Sequence, residues 1–138
     1  MSLDLNITRI QHTGLPVTDL AASRAFYTGL GFTDVMSSTF PHPEGTGHVS
    51  MMQRGDITLE LYELPAAALH EIRSRSNGHI DHIAFDVADI DAAFRTLHSA
   101  GYTLCEPAPV FLPFWTRGCK YFNILGPDGE RLEFNQIL

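Results

Sequence analysis

The stretch from Gly78 to Val87 reads G-H-I-D-H-I-A-F-D-V, and its residues alternate. Ile83, Phe85 and Val87 fall on one side, and Ile80, His82, Ala84 and Asp86 on the other. Successive side chains of a strand point to opposite faces. The pattern therefore predicts a strand that packs Phe85 and Val87 on a helix and turns His82 the other way. Ile7–Val17 has the same character, with Pro16 near its end, where a missing N–H is tolerated. Each of these strands is followed by an Asp and a helical pattern. Asp19 predicts the cap of a helix running to about Gly29, with Leu20, Tyr27 and Leu30 on one side. Asp89 predicts the cap of a second, with Ile90, Phe94 and Leu97 at i, i+4 and i+7 and Gly101 as terminator.

The intervening segments read more simply. Phe32–Phe40 is expected as a strand, Pro41–Gly47 as a loop, and His48–Gln53 with Ile57–Glu63 as a hairpin turning at Arg54-Gly55-Asp56. Pro65–Arg75 reads as a short linking helix, closed by the turn residues Ser76-Asn77-Gly78. In the second half Tyr102–Cys105 is expected as a short strand and Glu106–Gly118 as a loop broken by three prolines. Cys119–Leu125 and Glu130–Ile137 should form a closing hairpin around Gly126-Pro127-Asp128-Gly129. Residues before Ile7 have nothing to pack on and are expected to be loosely held. The chain thus reads as a single domain over 1–138, with one βαβββ module at 7–64, a linker at 65–77 and a second βαβββ module at 78–138.

The two modules are copies. A shift of seventy positions sets His82 on His12, Ile80 on Ile10, Val87 on Val17, Asp89 on Asp19, Ala92 on Ala22 and Gly101 on Gly31. A shift of seventy-three sets Glu133 on Glu60, and Leu132-Glu133-Phe134 on Leu59-Glu60-Leu61. In both closing strands the Glu faces away from the apolar pair: Thr58, Glu60 and Tyr62 share one face, and Arg131, Glu133 and Asn135 share the other strand's. Each module therefore opens on a strand bearing an off-core His and ends on a strand bearing an off-core Glu. His12, Glu60, His82 and Glu133 offer two imidazoles and two carboxylates, a set suited to Ni²⁺, Zn²⁺, Co²⁺, Mn²⁺ or Fe²⁺. Four ligands on an octahedral ion leave two positions for water or a chelating substrate, as a catalytic site requires. Taken singly, any of these Glu residues would read as a solvent-facing strand residue; four at equivalent positions of a duplication read as one ligand set.

Composition narrows the partners. The chain has 138 residues and a formal charge of −7, which argues against nucleic acid or an anionic membrane as partner. No run approaches the roughly 18 apolar residues that span a bilayer, and no basic-plus-apolar leader pattern opens the chain. Two cysteines, Cys105 and Cys119, lack C-x-x-C spacing, so a reduced, cytoplasmic setting is expected.

The motifs I-Q-H-T-G-L-P-V-T-D-L, A-F-Y-T-G-L-G-F, I-T-L-E-L, G-H-I-D-H-I-A-F-D-V-A-D-I and G-P-D-G-E-R-L-E-F resemble those of the vicinal oxygen chelate superfamily, and within it the glyoxalase I-like branch. The resemblance covers about Ile7 to Leu138. It implies an α+β fold whose two tandem modules form a cup-shaped mixed sheet. It also implies one divalent metal per site, held by His12, Glu60, His82 and Glu133. By analogy with the bacterial branch it implies a homodimer, with His12 and Glu60 of one chain meeting His82 and Glu133 of the other. The activity implied is that of a lyase or isomerase. A small-molecule substrate chelates the metal through vicinal oxygens, and a carboxylate takes a proton beside the carbonyl and returns it through an enediolate. The resemblance nominates Glu133 as that base, with Glu60 as the symmetric alternative.

Two departures bear on the substrate. Where glyoxalase I carries an Arg and an Asn that contact glutathione, this chain has Pro16 and Leu64. Neither side chain can donate to a carboxylate. The expected substrate is a small oxygenated compound or a conjugate other than glutathione. Further pocket candidates are Tyr62 and Asn135, which share the Glu faces, Arg131, and the loop residues Phe111, Phe114, Trp115 and Arg117. His79 and Asp81 read as rim groups opposite His82, and His42, His48, His70 and His98 as surface histidines. The alternatives within the superfamily are an epimerase, a dioxygenase or a thiol transferase. A bleomycin-resistance-type binding protein is the non-enzymatic alternative. Glu60 as a fourth ligand favours the lyase or isomerase over oxygen chemistry.

Overall fold

The computed structural model describes residues 2–29, 31–75, 80–125 and 131–138. Its elements are β1 (Ile7–Pro16), α1 (Leu20–Gly29), β2 (Thr33–His42), β3 (Gly45–Arg54), β4 (Ile57–Glu63), a 3-10 turn (Ala66–Ala68) leading into α2 (Leu69–Ser74), β5 (His82–Val87), α3 (Ile90–Ser99), β6 (Val110–Leu112), β7 (Cys119–Leu125) and β8 (Arg131–Ile137). Strand, helix and three strands occur twice, and the fold is α+β. The chain divides into two compact units, Met1–Gln11 with His82–Leu138, and His12–Asp81. The division falls within β1, immediately before His12, and again immediately before His82.

In the unit His12–Asp81, β1 runs parallel to β4, and β4, β3 and β2 are antiparallel neighbours. Leu20 of α1 packs on Met52 and Leu61, with Leu15, Val17, Tyr27, Phe32 and Leu59 around them. The helix start is tied down twice. Asp19 Oδ1 accepts from the Ala22 N–H at 3.0 Å, and the Leu20 N–H donates to Glu63 Oε2 at 2.7 Å. These bonds satisfy amides that no helical turn reaches.

The loop expected at Pro41–Gly47 is instead the end of a long hairpin: β2 runs to His42 and β3 starts at Gly45, pairing His42 with Gly45. Phe40 opposes Gly47 and its ring lies where a Cβ would stand, so this glycine serves a close approach within a strand. His42 Nδ1 accepts from the Glu44 N–H at 3.1 Å and steadies the turn.

In the unit Met1–Gln11 with His82–Leu138, β5 runs parallel to β8, and β8, β7 and β6 are antiparallel neighbours. Helix α3 seals one face: Val87, Ile90, Ala93, Leu97, Phe122, Ile124 and Phe134 form the core. Phe122 stacks on Phe134 with centroids 5.2 Å apart and meets Phe94 edge-on at 5.1 Å. Asp89 Oδ1 accepts from the Ala92 N–H at 2.9 Å, and the Ile90 N–H donates to Gln136 Oε1 at 3.0 Å. The arrangement repeats that of α1.

Three expectations are corrected here. Leu5 packs against the core, so the residues before β1 are not without an apolar partner. The opening strand begins at His82 rather than Gly78; Asp81 lies before it, donating its N–H to the Gly14 carbonyl at 2.9 Å, and so does not belong to a strand face. Tyr102–Cys105 contributes a single bridge, Leu104 to Ile124, while the proline-broken loop contains the strand β6, which pairs with β7. Leu30, Ser76-Asn77-Gly78, His79, the turn Gly126-Pro127-Asp128-Gly129 and Glu130 lie outside the described residues.

Candidate functional site

Each unit carries one of the expected pairs. In His12–Asp81, His12 on β1 is buried, and its Nε2 lies 3.7 Å from Glu60 Oε2 on β4. In the other unit, His82 on β5 and Glu133 on β8 are both buried, with Nε2 and Oε2 3.2 Å apart. Parallel pairing makes both pairs in the same way. Gly14, two residues after His12, stands opposite Glu60, and Ala84, two residues after His82, stands opposite Glu133. A small residue beside each carboxylate leaves it room to lean toward the imidazole.

The spacing suits a metal. Donors about 2.0–2.2 Å from one ion lie roughly 2.8–3.6 Å apart when they subtend right to tetrahedral angles. The 3.2 Å pair falls within that range, and the 3.7 Å pair lies just outside it and beyond hydrogen-bond reach. Two imidazole Nε2 atoms and two carboxylate oxygens are borderline and hard donors, matching Zn²⁺, Ni²⁺, Co²⁺, Mn²⁺ or Fe²⁺.

The Glu133 end is embedded in a polar network. Asn135 Nδ2 donates to Glu133 Oε1 at 2.8 Å, and Gln11 Nε2 donates to Asn135 Oδ1 at 3.1 Å and to Asp86 Oδ1 at 2.6 Å. Arg9 Nε donates to Asp86 Oδ2 at 2.8 Å. Opposite Glu133 on β7 stands Asn123, whose side-chain Nδ2 and backbone N–H donate to the two oxygens of Glu106 at 2.8 and 2.6 Å. Asn123 Oδ1 is buried and has no hydrogen-bond partner among the described residues. The sequence pattern carries no signal for Gln11, Glu106 or Asn123. Asp86 and Asn135 were legible as off-core strand residues. Gln11 was not, because alternation places it on the opposite side of β1 from His12.

The remaining candidates are dispersed. Tyr62 shares the Glu60 face, as the alternation predicts, and meets the Phe40 ring edge-on at 6.3 Å. Arg131 is exposed and stands opposite His82 in the β5–β8 register. Phe111 is exposed on β6, Arg117 is exposed, and Phe114 is buried as ordinary core is. Trp115 has φ 65°, a left-handed backbone that costs a bulky residue energy, and its indole Nε1 is buried with no hydrogen-bond partner among the described residues. His48, His70 and His98 are exposed, and His98 stacks on Phe94. Partial desolvation and the neighbouring Glu106 carboxylate push the Cys105 thiol up, so it stays protonated at neutral pH and is a poor nucleophile.

Among the described residues no helix is long and apolar enough to cross a membrane. The chain is 32% identical over 130 residues to the uncharacterized protein YaeR of Escherichia coli K12, covering 94% of this chain and 96% of that one. Its structure is similar to that of methylmalonyl-CoA epimerase from Mycobacterium tuberculosis, with a TM-score of 0.77, 20% identity and coverage of 100% and 93% of the two chains. It is also similar to a mutant 4-hydroxymandelate synthase from Streptomyces coelicolor, with a TM-score of 0.73, 17% identity and coverage of 94% of this chain and 49% of that one. The profile of the Glyoxalase/Bleomycin resistance protein/Dioxygenase superfamily matches residues 9–134, and the chain belongs to that superfamily.

Proposed function

We propose that the protein is a metal-dependent lyase or isomerase of glyoxalase or epimerase type, acting on a small molecule that presents two neighbouring oxygens. One observation carries the reading: each unit holds an imidazole–carboxylate pair at equivalent strand positions, His12 with Glu60 and His82 with Glu133. The two Nε2 atoms and two carboxylates would together hold one divalent ion, which when bound supplies Lewis acidity toward a chelating substrate.

Glu133, alternating between ligand and base, takes the proton from the carbon beside the substrate carbonyl and returns it to the neighbouring carbon or the opposite face. Glu60 is the symmetric second carboxylate. Pro16 ends β1 and opposes Tyr62 on β4. It offers no donor for an anionic tripeptide, which supports a substrate other than a glutathione conjugate. The fourth ligand, Glu60, supports proton transfer over oxygen chemistry.

Metal analysis of protein purified without chelators tests the reading. About one ion per chain is expected, lost on His82→Ala or Glu133→Ala. Full retention in the double variant would overturn it. The superfamily resemblance supports a homodimer, and mixing two inactive variants reads how the pairs combine. His12→Ala chains mixed with His82→Ala chains regain one intact site per dimer only if the pairs meet across the subunits.

A further inference from the structure

The bonds behind Glu133 run in one direction. Gln11 has a single amide nitrogen, and both of its hydrogens are committed, one to Asp86 Oδ1 at 2.6 Å and one to Asn135 Oδ1 at 3.1 Å. Asp86 is held in turn by Arg9 at 2.8 Å. Because Gln11 must donate, Asn135 must accept through Oδ1. Its Nδ2 is then the atom turned to Glu133 Oε1, at 2.8 Å. An amide free to flip would present its oxygen to the carboxylate half the time and repel it; here the flip is excluded by a buried partner. Gln11 and Asn135 are 6% and 3% exposed, so water competes poorly for these bonds.

The chain of donors makes the two oxygens of Glu133 unequal. Oε1 accepts from Asn135, whereas Oε2 lies 3.2 Å from His82 Nε2. We infer that Asn135, oriented by Gln11 and Asp86, is a positioning residue that holds Oε1 of Glu133 and so turns Oε2 toward the metal site. The inference rests on the metal-site reading above and goes beyond it, since it assigns a role to residues that never touch the ion. Glu60 is set differently: the position two residues on, which Asn135 holds after Glu133, is Tyr62, a phenol rather than an amide.

The test is a double-mutant cycle read by metal affinity. Zn²⁺ is titrated into the apo-protein against a chromophoric chelator, using wild type, Asn135→Leu, Gln11→Met and the double variant. Losing a partner that orients a metal ligand costs about 10–100-fold in affinity. Asn135→Leu is expected in that range and Gln11→Met at its lower end. The double variant should be no weaker than Asn135→Leu, because Gln11 acts through Asn135. In Co²⁺-loaded protein the visible spectrum should change in both single variants, a change that a loss of stability alone would not produce. Should Asn135→Leu fail to fold, Asn135→Ser takes its place, and Gln11→Met stands as an independent arm. Wild-type affinity and spectrum in both single variants would overturn the positioning role while leaving the site intact, and so would additive losses in the cycle. Absence of Zn²⁺ binding by the wild type would overturn the site reading itself.

Discussion

In the unit His12–Asp81 the helix lies on Met52 and Leu61, whereas in Met1–Gln11 with His82–Leu138 it lies on Phe122, Ile124 and Phe134. The surroundings of the two carboxylates diverge as well: Met51 and Gly14 beside Glu60, Asn123 and Ala84 beside Glu133. What the units share is narrower. Both keep the His and Glu on parallel neighbouring strands, an Asp at the helix cap, and a side chain three residues beyond the Glu that binds the first helical amide. Cores drift because any well-packed apolar set of the right volume will serve. Hydrogen-bonded geometry drifts less readily, since an unmet buried amide has no cheap substitute.

The largest effects should come from the cores, where the units differ most. Phe122→Ala removes a ring stacked in the centre of its unit and is expected to cost about 3–5 kcal/mol in urea unfolding. Met52→Ala removes a flexible thioether chain and should fall in the lower part of the roughly 2–5 kcal/mol range for such truncations. Equal costs would erase the distinction between a rigid aromatic core and an adaptable one.

Smaller and matched effects are expected where the units agree. Asp19→Ala and Asp89→Ala should each cost about 1 kcal/mol, as loss of an N-cap does. A cap variant that is silent in one unit and costly in the other would break the equivalence of the two helices.

The smallest effect separates the units again and depends on pH. Burial works against ionisation of Asp34, but hydrogen bonds from Ser37, Ser50 and Arg24 outweigh it and hold this carboxyl below its ordinary value. A folded-state pKa below the unfolded one stabilises above the unfolded value, and that stability is lost as pH falls through the folded one. Asp34→Asn should therefore lower the urea midpoint at about pH 5 and flatten its fall toward about pH 2. An acid limb unchanged by the substitution would show that Asp34 contributes nothing to it.

Much of the fold could be read from the chain because the signals came in duplicate. His12, Glu60, His82 and Glu133 each stood at an alternating strand position, and the copy of each vouched for the other. Asp19 and Asp89 behaved as caps for the same reason. What escaped reading depended on partners distant in sequence. Pro41–Gly47 has a loop's composition, yet Gly47 is there to admit the Phe40 ring, a packing fact that local propensity does not carry. Gln11 looked unremarkable beside His12. Its role depends on Asn135, 124 residues away, and on Asp86, 75 residues away. Leu5 likewise gains its place only from a core assembled by residues of the second half.

The bonds from Leu20 to Glu63 and from Ile90 to Gln136 span 43 and 46 residues, so each helix is finished by the last strand of its own module. Such loops close late, after the entropy of the intervening chain has been spent. On a ribosome the first helix would emerge with an open end and stay frayed until residue 63 had cleared the exit tunnel. The second would wait for residue 136. Each module should therefore form as a unit rather than grow strand by strand, and a pause in translation between helix and closing strand would leave an unfinished domain exposed to chaperones.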